Sequence, residues 1–304
     1  MKLLATGHLG FVGRALRDFV TNHPERGFEW SELAREHNVL DRDDLVAMLR
    51  EHRPDCVVHL AAQSHVHASW SDPAATLQTN TIGTANLLSA MDAAGFAGRL
   101  LYVSSADVYG AVPESLLPVT EDTPPAPRSP YASSKVAAEV LCRQWACARP
   151  LDVVIARPFN HTGPRQRDEF ALPRFAREVA AIRAGQREPV LQVGDVDVTR
   201  DFLDVDDVAD AYLRLLRDGR SGETYNVCSG REVLLRDALS TLMDIAKVSA
   251  KVVTDPALLR PSEQRRMAGS WRKLGDATGW QPTTPFADTL ARLLEHWISE
   301  LEEK

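Results

Sequence analysis

Tyr131 and Lys135 stand four residues apart in Tyr131-Ala132-Ser133-Ser134-Lys135, a spacing that sets a phenol and an ammonium on one face of a helix. A free phenol, with a pKa of about 10, exchanges protons poorly at neutral pH, and a neighbouring cation favours its phenolate and lowers that value. Pairs of this kind are common on solvated helix surfaces, so placement decides their meaning. This one follows Val103-Ser104-Ser105-Ala106-Asp107-Val108-Tyr109-Gly110, an apolar strand that ends in hydroxyls. At the carboxyl edge of a sheet, Ser105 would hydrogen-bond a reacting oxygen while Tyr131 moves its proton.

A second motif, Thr6-Gly7-His8-Leu9-Gly10-Phe11-Val12-Gly13, sits where a first strand hands over to a first helix. The first glycine permits the tight turn, the second lets backbone approach a pyrophosphate, and the third lets the helix pack on the sheet. Three glycines alone are weak evidence, but here they come directly after an apolar run, the context such a dinucleotide site requires. A cationic nicotinamide would act with Lys135 in favouring the phenolate.

The elements that must position these groups alternate. Short apolar runs at 2–5, 56–60, 100–104 and 153–156 read as buried parallel strands. Between them, 12–20, 43–52, 74–93 and 133–148 read as helices. The alternation predicts an α/β fold with a doubly wound parallel sheet. A second strand is expected near 28–32, where the sequence is short and polar. After Arg157 the pattern changes to loops with Pro158, Pro164 and Pro173, then a helix at 175–184, a strand at 190–193, and helices at 205–217, 235–246 and 286–302. The expected division is 1–157 for the cofactor and 158–304 for a smaller region, mainly for substrate, with some segments returning to the main sheet.

With 44% hydrophobic and 25% charged residues, the 304-residue chain has ordinary globular composition, which argues against disorder and coiled coil. A net charge of -7 argues against a nucleic-acid partner, although a few arginines can hold one diphosphate inside an acidic protein. Cys56, Cys142, Cys147 and Cys228 form no CxxC pair and suit a reducing compartment. No stretch approaches the length of a signal peptide or membrane span, so cytoplasmic residence is expected and no membrane partner. His59 reads as a satisfied strand-end histidine and His65 and His67 as a solvated pair, so no metal is expected.

These motifs, with His59-Leu60-Ala61-Ala62 and Asn80-Thr81-Ile82-Gly83-Thr84-Ala85-Asn86, resemble the extended short-chain dehydrogenase/reductase family over nearly the whole chain. The resemblance implies a Rossmann-type fold that binds NADPH or NADH. It implies that Gly7, Gly10, Phe11 and Val12 line the pyrophosphate, that Asp41, Leu60, Ala61 and Ala62 lie by the adenosine half, and that Asn80 and Val103 are nearby. Ser105, Tyr131 and Lys135 become the catalytic set, the last two also holding the nicotinamide ribose. The long helices 74–93 and 133–148 resemble the family's dimer interface, so a homodimer is expected.

In the second half, Arg157-Pro158-Phe159-Asn160-His161-Thr162-Gly163-Pro164, Asp197-Val198-Thr199-Arg200-Asp201-Phe202 and Leu259-Arg260-Pro261-Ser262-Glu263 resemble the family's GDP-mannose branch. That likeness implies Asn160 and Thr162 on sugar and phosphate oxygens, Arg200 and Arg260 on the diphosphate, Glu263 on the nucleotide ribose, and Ser105 and Asp107 beside the sugar. Guanidinium forks suit phosphate. Within the branch, the segments at 104–110, 225–230 and 263–266 look most like reductases that take a GDP-linked 4-keto-6-deoxy sugar to GDP-D-rhamnose.

Three other readings stay open. A 4,6-dehydratase needs a further acid–base group, and related dehydratases carry glutamate where Asp107 stands, with an acid in some where Ala106 stands. A 4-epimerase shares the segment at 104–110 but would show no net redox turnover. A dinucleotide-binding scaffold or sensor would be expected to break the set of Ser105, Tyr131 and Lys135. Arg14 and Arg35 are the residues that could favour a 2′-phosphate on the cofactor.

Overall fold

The computed structural model describes residues 1–149, 151–259 and 264–302. Its first strands are β1 (Lys2–Thr6), β2 (Glu29–Trp30), β3 (Cys56–His59), β4 (Arg99–Val103) and β5 (Asp152–Pro158). The later ones are β6 (Asn160–Thr162), β7 (Val190–Val193), β8 (Thr199–Asp204), β9 (Thr224–Val227), β10 (Glu232–Leu234) and β11 (Lys251–Thr254). In the first half the helices are α1 (Phe11–Asn22), α2 (Arg42–His52), α3 (Val66–Ser71), α4 (Pro73–Leu77), α5 (Gly83–Ala94) and α6 (Pro130–Ala148). The second half carries α7 (Ala171–Arg183), α8 (Val205–Asp218), α9 (Leu235–Ala246), α10 (Arg272–Thr278) and α11 (Phe286–Glu302).

The strands of the main sheet run parallel in the order β2-β1-β3-β4-β5-β9. Their middles are apolar on both faces, as a sheet covered by helices on both sides demands. One face packs α1, α8, α10 and Trp280 against Leu3, Val58, Leu101 and Val154. The other packs α2, α5 and α6 against Leu4, Val57, Leu100 and Val153. Each such aliphatic side chain, fully buried, contributes about 1.5–3 kcal/mol. A separate core joins α7, α9 and α11 over β7 and β8, while β9 and α8 of the second half lie with the main sheet.

Strand order reverses between β1 and β3, so the crevice lies at their carboxyl ends, where ligands bind in open α/β sheets. β2 is a two-residue edge strand: Glu29 is exposed, the Ser31 amide still donates to the Leu3 carbonyl at 2.8 Å, and the Ser31 side chain meets the His52 ring at 2.9 Å.

The predicted helix over 74–93 is in fact α4, a π turn at Gln78–Ile82, and α5. Asn80 inside that turn explains the break. Its amide nitrogen donates to the Gln63 carbonyl at 3.0 Å and to Ser134 Oγ at 2.9 Å, and its oxygen accepts from the Gln63 amide at 2.8 Å. A wider turn is the local cost of aiming that side chain inward. Helix α6 starts at Pro130 and not at 133, because Ser129 caps it through the Ala132 amide and Pro130 suits the first helical position. Tyr131 is thereby a first-turn residue.

Candidate active site

The glycine loop brings three elements into contact. Gly7 has φ +68, and a Cβ there would lie 2.7 Å from the Ala61 amide nitrogen. A Cβ on Gly13 would lie 2.6 Å from the Gly7 carbonyl, so only glycine lets α1 sit this close to the end of β1. Gly10 caps α1 without a side-chain hydrogen bond, and the first turn holds no acid. Its free amides therefore present the positive end of the helix. On the same loop and helix, His8 Nδ1 and Arg14 Nε are buried without a hydrogen-bond partner. The cradle, the uncapped helix start and these unmet polar atoms fit the pyrophosphate and adenosine ribose of a dinucleotide.

Thr6 ties the other wall to the loop. Its Oγ1 lies 2.7 Å from His59 Nδ1 and accepts from the Ala61 amide at 3.3 Å, setting the course of 60–62. His59 meets Thr84 on its other nitrogen at 3.1 Å, and burial, aided by Lys135, pulls its pKa down to about 3. It is a neutral structural histidine. Asp41 is the exposed N-cap of α2, accepting from the Asp44 amide, and Asn80 is fully buried in the bonds described above. Both hold backbone in place around the crevice.

Ser105, Tyr131 and Lys135 converge where β4 ends against α6. The Ser105 hydroxyl accepts from the Asp107 amide at 3.1 Å and so caps the short turn Ala106–Tyr109. Lys135 Nζ donates to the Val103 carbonyl at 2.8 Å and lies 5.3 Å from the centre of the Tyr102 ring. Burial lowers the Lys135 pKa to about 8. The expected lowering of the Tyr131 pKa involves a cationic nicotinamide as well as Lys135; in the chain alone burial dominates. Burial pushes the phenol well above its ordinary value, the Asp107 charge pushes the same way, and the hydrogen bond with Ser105 only partly offsets them. Tyr131 is therefore held as a protonated phenol.

Sequence reasoning missed the support behind this set. Glu139, four residues beyond Lys135, accepts from Ser104, Arg157 and Arg143. Tyr109 lies under the Arg157 guanidinium at 4.8 Å and donates to Asn226 at 2.6 Å. The spacing of Tyr131, Lys135 and Glu139 was the available signal, since all three share a helix face. The stacking of His161, known in sequence only as part of the 157–164 motif, was not foreseen: its ring lies on Phe11 of the glycine loop at 6.1 Å with an interplanar angle of 9°.

On the substrate side, Asn160 is exposed, but Thr162 is buried and donates to Gln166 at 2.7 Å. Thr162 therefore steadies the turn after β6 through Gln166. Arg200 on β8 lies near Asn160 on β6, since the register pairs Asn160 with Phe202, and it donates to the Thr199 carbonyl at 2.7 Å. Asp107 is exposed at the mouth. Arg260 and Glu263 lie outside the described residues. Among the described residues no group of three or more His, Cys, Asp or Glu side chains is arranged to hold a metal, and no helix is long and apolar enough to cross a membrane.

The profile of the family described as GDP-mannose 4,6 dehydratase matches residues 20–293. The chain belongs to this family. It is 46% identical over 305 aligned residues to the GDP-6-deoxy-D-mannose reductase of Pseudomonas aeruginosa, covering 100% of this chain and 99% of that one. It is 30% identical to dTDP-glucose 4,6-dehydratase 1 of Escherichia coli, covering 98% and 93%. The solved structure of RMD from Pseudomonas aeruginosa complexed with NADPH superposes with a TM-score of 0.94 at 45% identity, covering 98% of this chain and 99% of that one. The family therefore holds both dehydratases and a reductase on one fold, the Rossmann-type fold of the extended short-chain dehydrogenases/reductases.

Proposed function

We propose that the protein reduces the C4 keto group of GDP-4-keto-6-deoxy-D-mannose to give GDP-D-rhamnose, with NADPH as reductant and Tyr131 as proton donor. The observation that carries this reading is full-length similarity to a GDP-6-deoxy-D-mannose reductase, at 46% identity, in a chain that keeps Ser105, Tyr131 and Lys135. The nicotinamide supplies the hydride. The Ser105 hydroxyl donates to the carbonyl oxygen and stabilises its developing charge. Tyr131, kept protonated by burial and by Asp107, passes its proton to that oxygen. Lys135 offers the positive charge that stabilises the phenolate left behind.

The same geometry disfavours elimination. Ala106 carries no acid–base group, and the Asp107 carboxylate raises the proton affinity of Tyr131, whereas a dehydratase needs a further acid and base. Residues 1–157 hold the cofactor in this reading, and 158–304 mainly the nucleotide sugar, with Arg200 and Arg260 on its diphosphate and Glu263 on its ribose. Arg14 on α1, whose Nε is buried without a hydrogen-bond partner, and Arg35 after β2, paired with Asp44 at the surface, are the two cations in reach of this reading for the 2′-phosphate of NADPH. Exposed Ile82 and Val140, beside α5 and on α6, support a homodimer through those helices, and the absence of a membrane-spanning helix among the described residues is consistent with the cytoplasm.

The test is the loss of NADPH absorbance with GDP-4-keto-6-deoxy-D-mannose, beside a parallel reaction given GDP-mannose alone. Oxidation that requires the keto sugar is expected. A 4-keto product formed from GDP-mannose without net NADPH oxidation would replace this reading with a dehydratase.

A further inference from the structure

Behind the proton-transfer set lies a buried charge that the reaction as drawn does not use. Glu139 is fully buried on the face of α6 that carries Tyr131 and Lys135. Its Oε1 accepts from Ser104 Oγ at 2.6 Å and from Arg157 Nε at 2.9 Å, and its Oε2 accepts from Arg157 Nη2 at 2.7 Å and Arg143 Nη2 at 2.9 Å. Ser104 is the neighbour of Ser105. Arg157 comes from β5 and covers Tyr109, in the turn that Ser105 caps. Arg143 reaches on to Thr224 of β9 at 3.0 Å. One carboxylate thus joins α6, the catalytic turn and two strands.

Fold stability alone is a poor reason for this arrangement. Desolvation of a buried ion pair offsets most of its attraction, and apolar side chains of equal volume usually hold a helix to a sheet as well or better. An apolar pair would supply neither a directed bond to the residue next to Ser105 nor a negative charge one helical turn from Lys135.

We propose that Glu139, clamped by Arg157, is a positioning residue that fixes the turn of Ser104 and Ser105 against α6 and keeps Lys135 cationic where the phenolate of Tyr131 forms. Its kinetic consequence rests on the reductase reading; its effect on Lys135 does not. Lys135 is faced by Glu139 and Cys142 from its own helix, Tyr131 one turn before it, Tyr102 from β4 and His59 from β3. Burial keeps the His59 ring, the Cys142 thiol and both phenols uncharged. Burial also pushes the Glu139 carboxyl up, but Arg157, Ser104 and Arg143 together outweigh it and hold the carboxyl below its usual range. Glu139 is therefore the anion in that set.

The experiment uses Glu139→Gln in the full chain, with two readouts. The first is an NMR titration of the Lys135 Cε resonance in the cofactor-free protein; the second is kcat against pH with NADPH and the keto sugar. The Lys135 midpoint is expected to fall by about one pH unit, giving about a fivefold loss of kcat at pH 8 that largely recovers at pH 6, with KM for NADPH little changed. Because glutamine leaves Arg157 unpaired, the double variant Glu139→Gln/Arg157→Gln is measured beside it. It is expected to regain thermal stability while keeping the displaced titration. An unmoved Lys135 midpoint in both variants would overturn the proposal, whatever happens to kcat. Absence of reduction by the unaltered protein would instead remove the reductase reading and leave the NMR result to decide the role of Glu139.

Discussion

The two sides of the crevice are held together by different physics. On the cofactor side, Thr6, His59, Lys135, Glu139 and Arg157 are buried, and most of their polar atoms meet a partner on another element. On the sugar side, the arginines around Arg200 lie in surface pairs: Arg236 with Asp197 at 2.8 Å, Arg265 with Asp195 at 3.1 Å, and Arg266 with Glu232 at 2.7 Å. Surface pairs of this kind contribute about 0–1 kcal/mol each, whereas breaking a buried pair costs about 3–5 kcal/mol. The contrast fits a family with several activities. In the proposed reading, the reaction chemistry belongs to the buried network and the nucleotide sugar to the rim of surface cations.

The largest effect is expected at the phenol. Tyr131→Phe should lower kcat about 10³-fold while NADPH still binds, read by steady-state kinetics and by cofactor fluorescence. Next comes the glycine cradle. Gly7→Ala forces a Cβ against Ala61 at positive φ, so NADPH affinity should fall at least about tenfold, with about 1–3 kcal/mol of stability lost in a denaturant titration. On the rim, Arg200→Ala should raise KM for the nucleotide sugar about tenfold and leave kcat nearly intact. Turnover should also decline as pH rises through about 8, because Lys135 is cationic below that value and neutral above it; a pH profile at saturating substrate checks this. The smallest effect is expected for Arg236→Ala, which should change unfolding free energy by less than about 1 kcal/mol. A large loss there would erase the contrast between the two sides.

Much of this was readable from local pattern. The glycine loop and the pair of Tyr131 and Lys135 are legible because backbone turns and helix periodicity act over a few residues. The strand at Val190–Val193 and the helices Leu235–Ala246 and Phe286–Glu302 kept their expected bounds for the same reason. What was not readable depends on partners distant in sequence. The π turn exists because Gln63 and Ser134 draw Asn80 inward. Thr162 turns into the protein because Gln166 returns to meet it. Glu139 resembles any solvated helix glutamate until Arg157 arrives from β5. The raised proton affinity of Tyr131 in the chain alone was not readable, because the burial that raises it exists only in the folded chain.

Net reduction at C4 by an external hydride is tested by following a label. NADPH carrying deuterium at the transferred position is supplied with GDP-4-keto-6-deoxy-D-mannose, and the deoxyhexose is analysed by mass spectrometry and NMR. One deuterium at C4 is expected for each NADPH oxidised. A sugar without deuterium, or a 4-keto product appearing from GDP-mannose while the labelled cofactor stays intact, would contradict it.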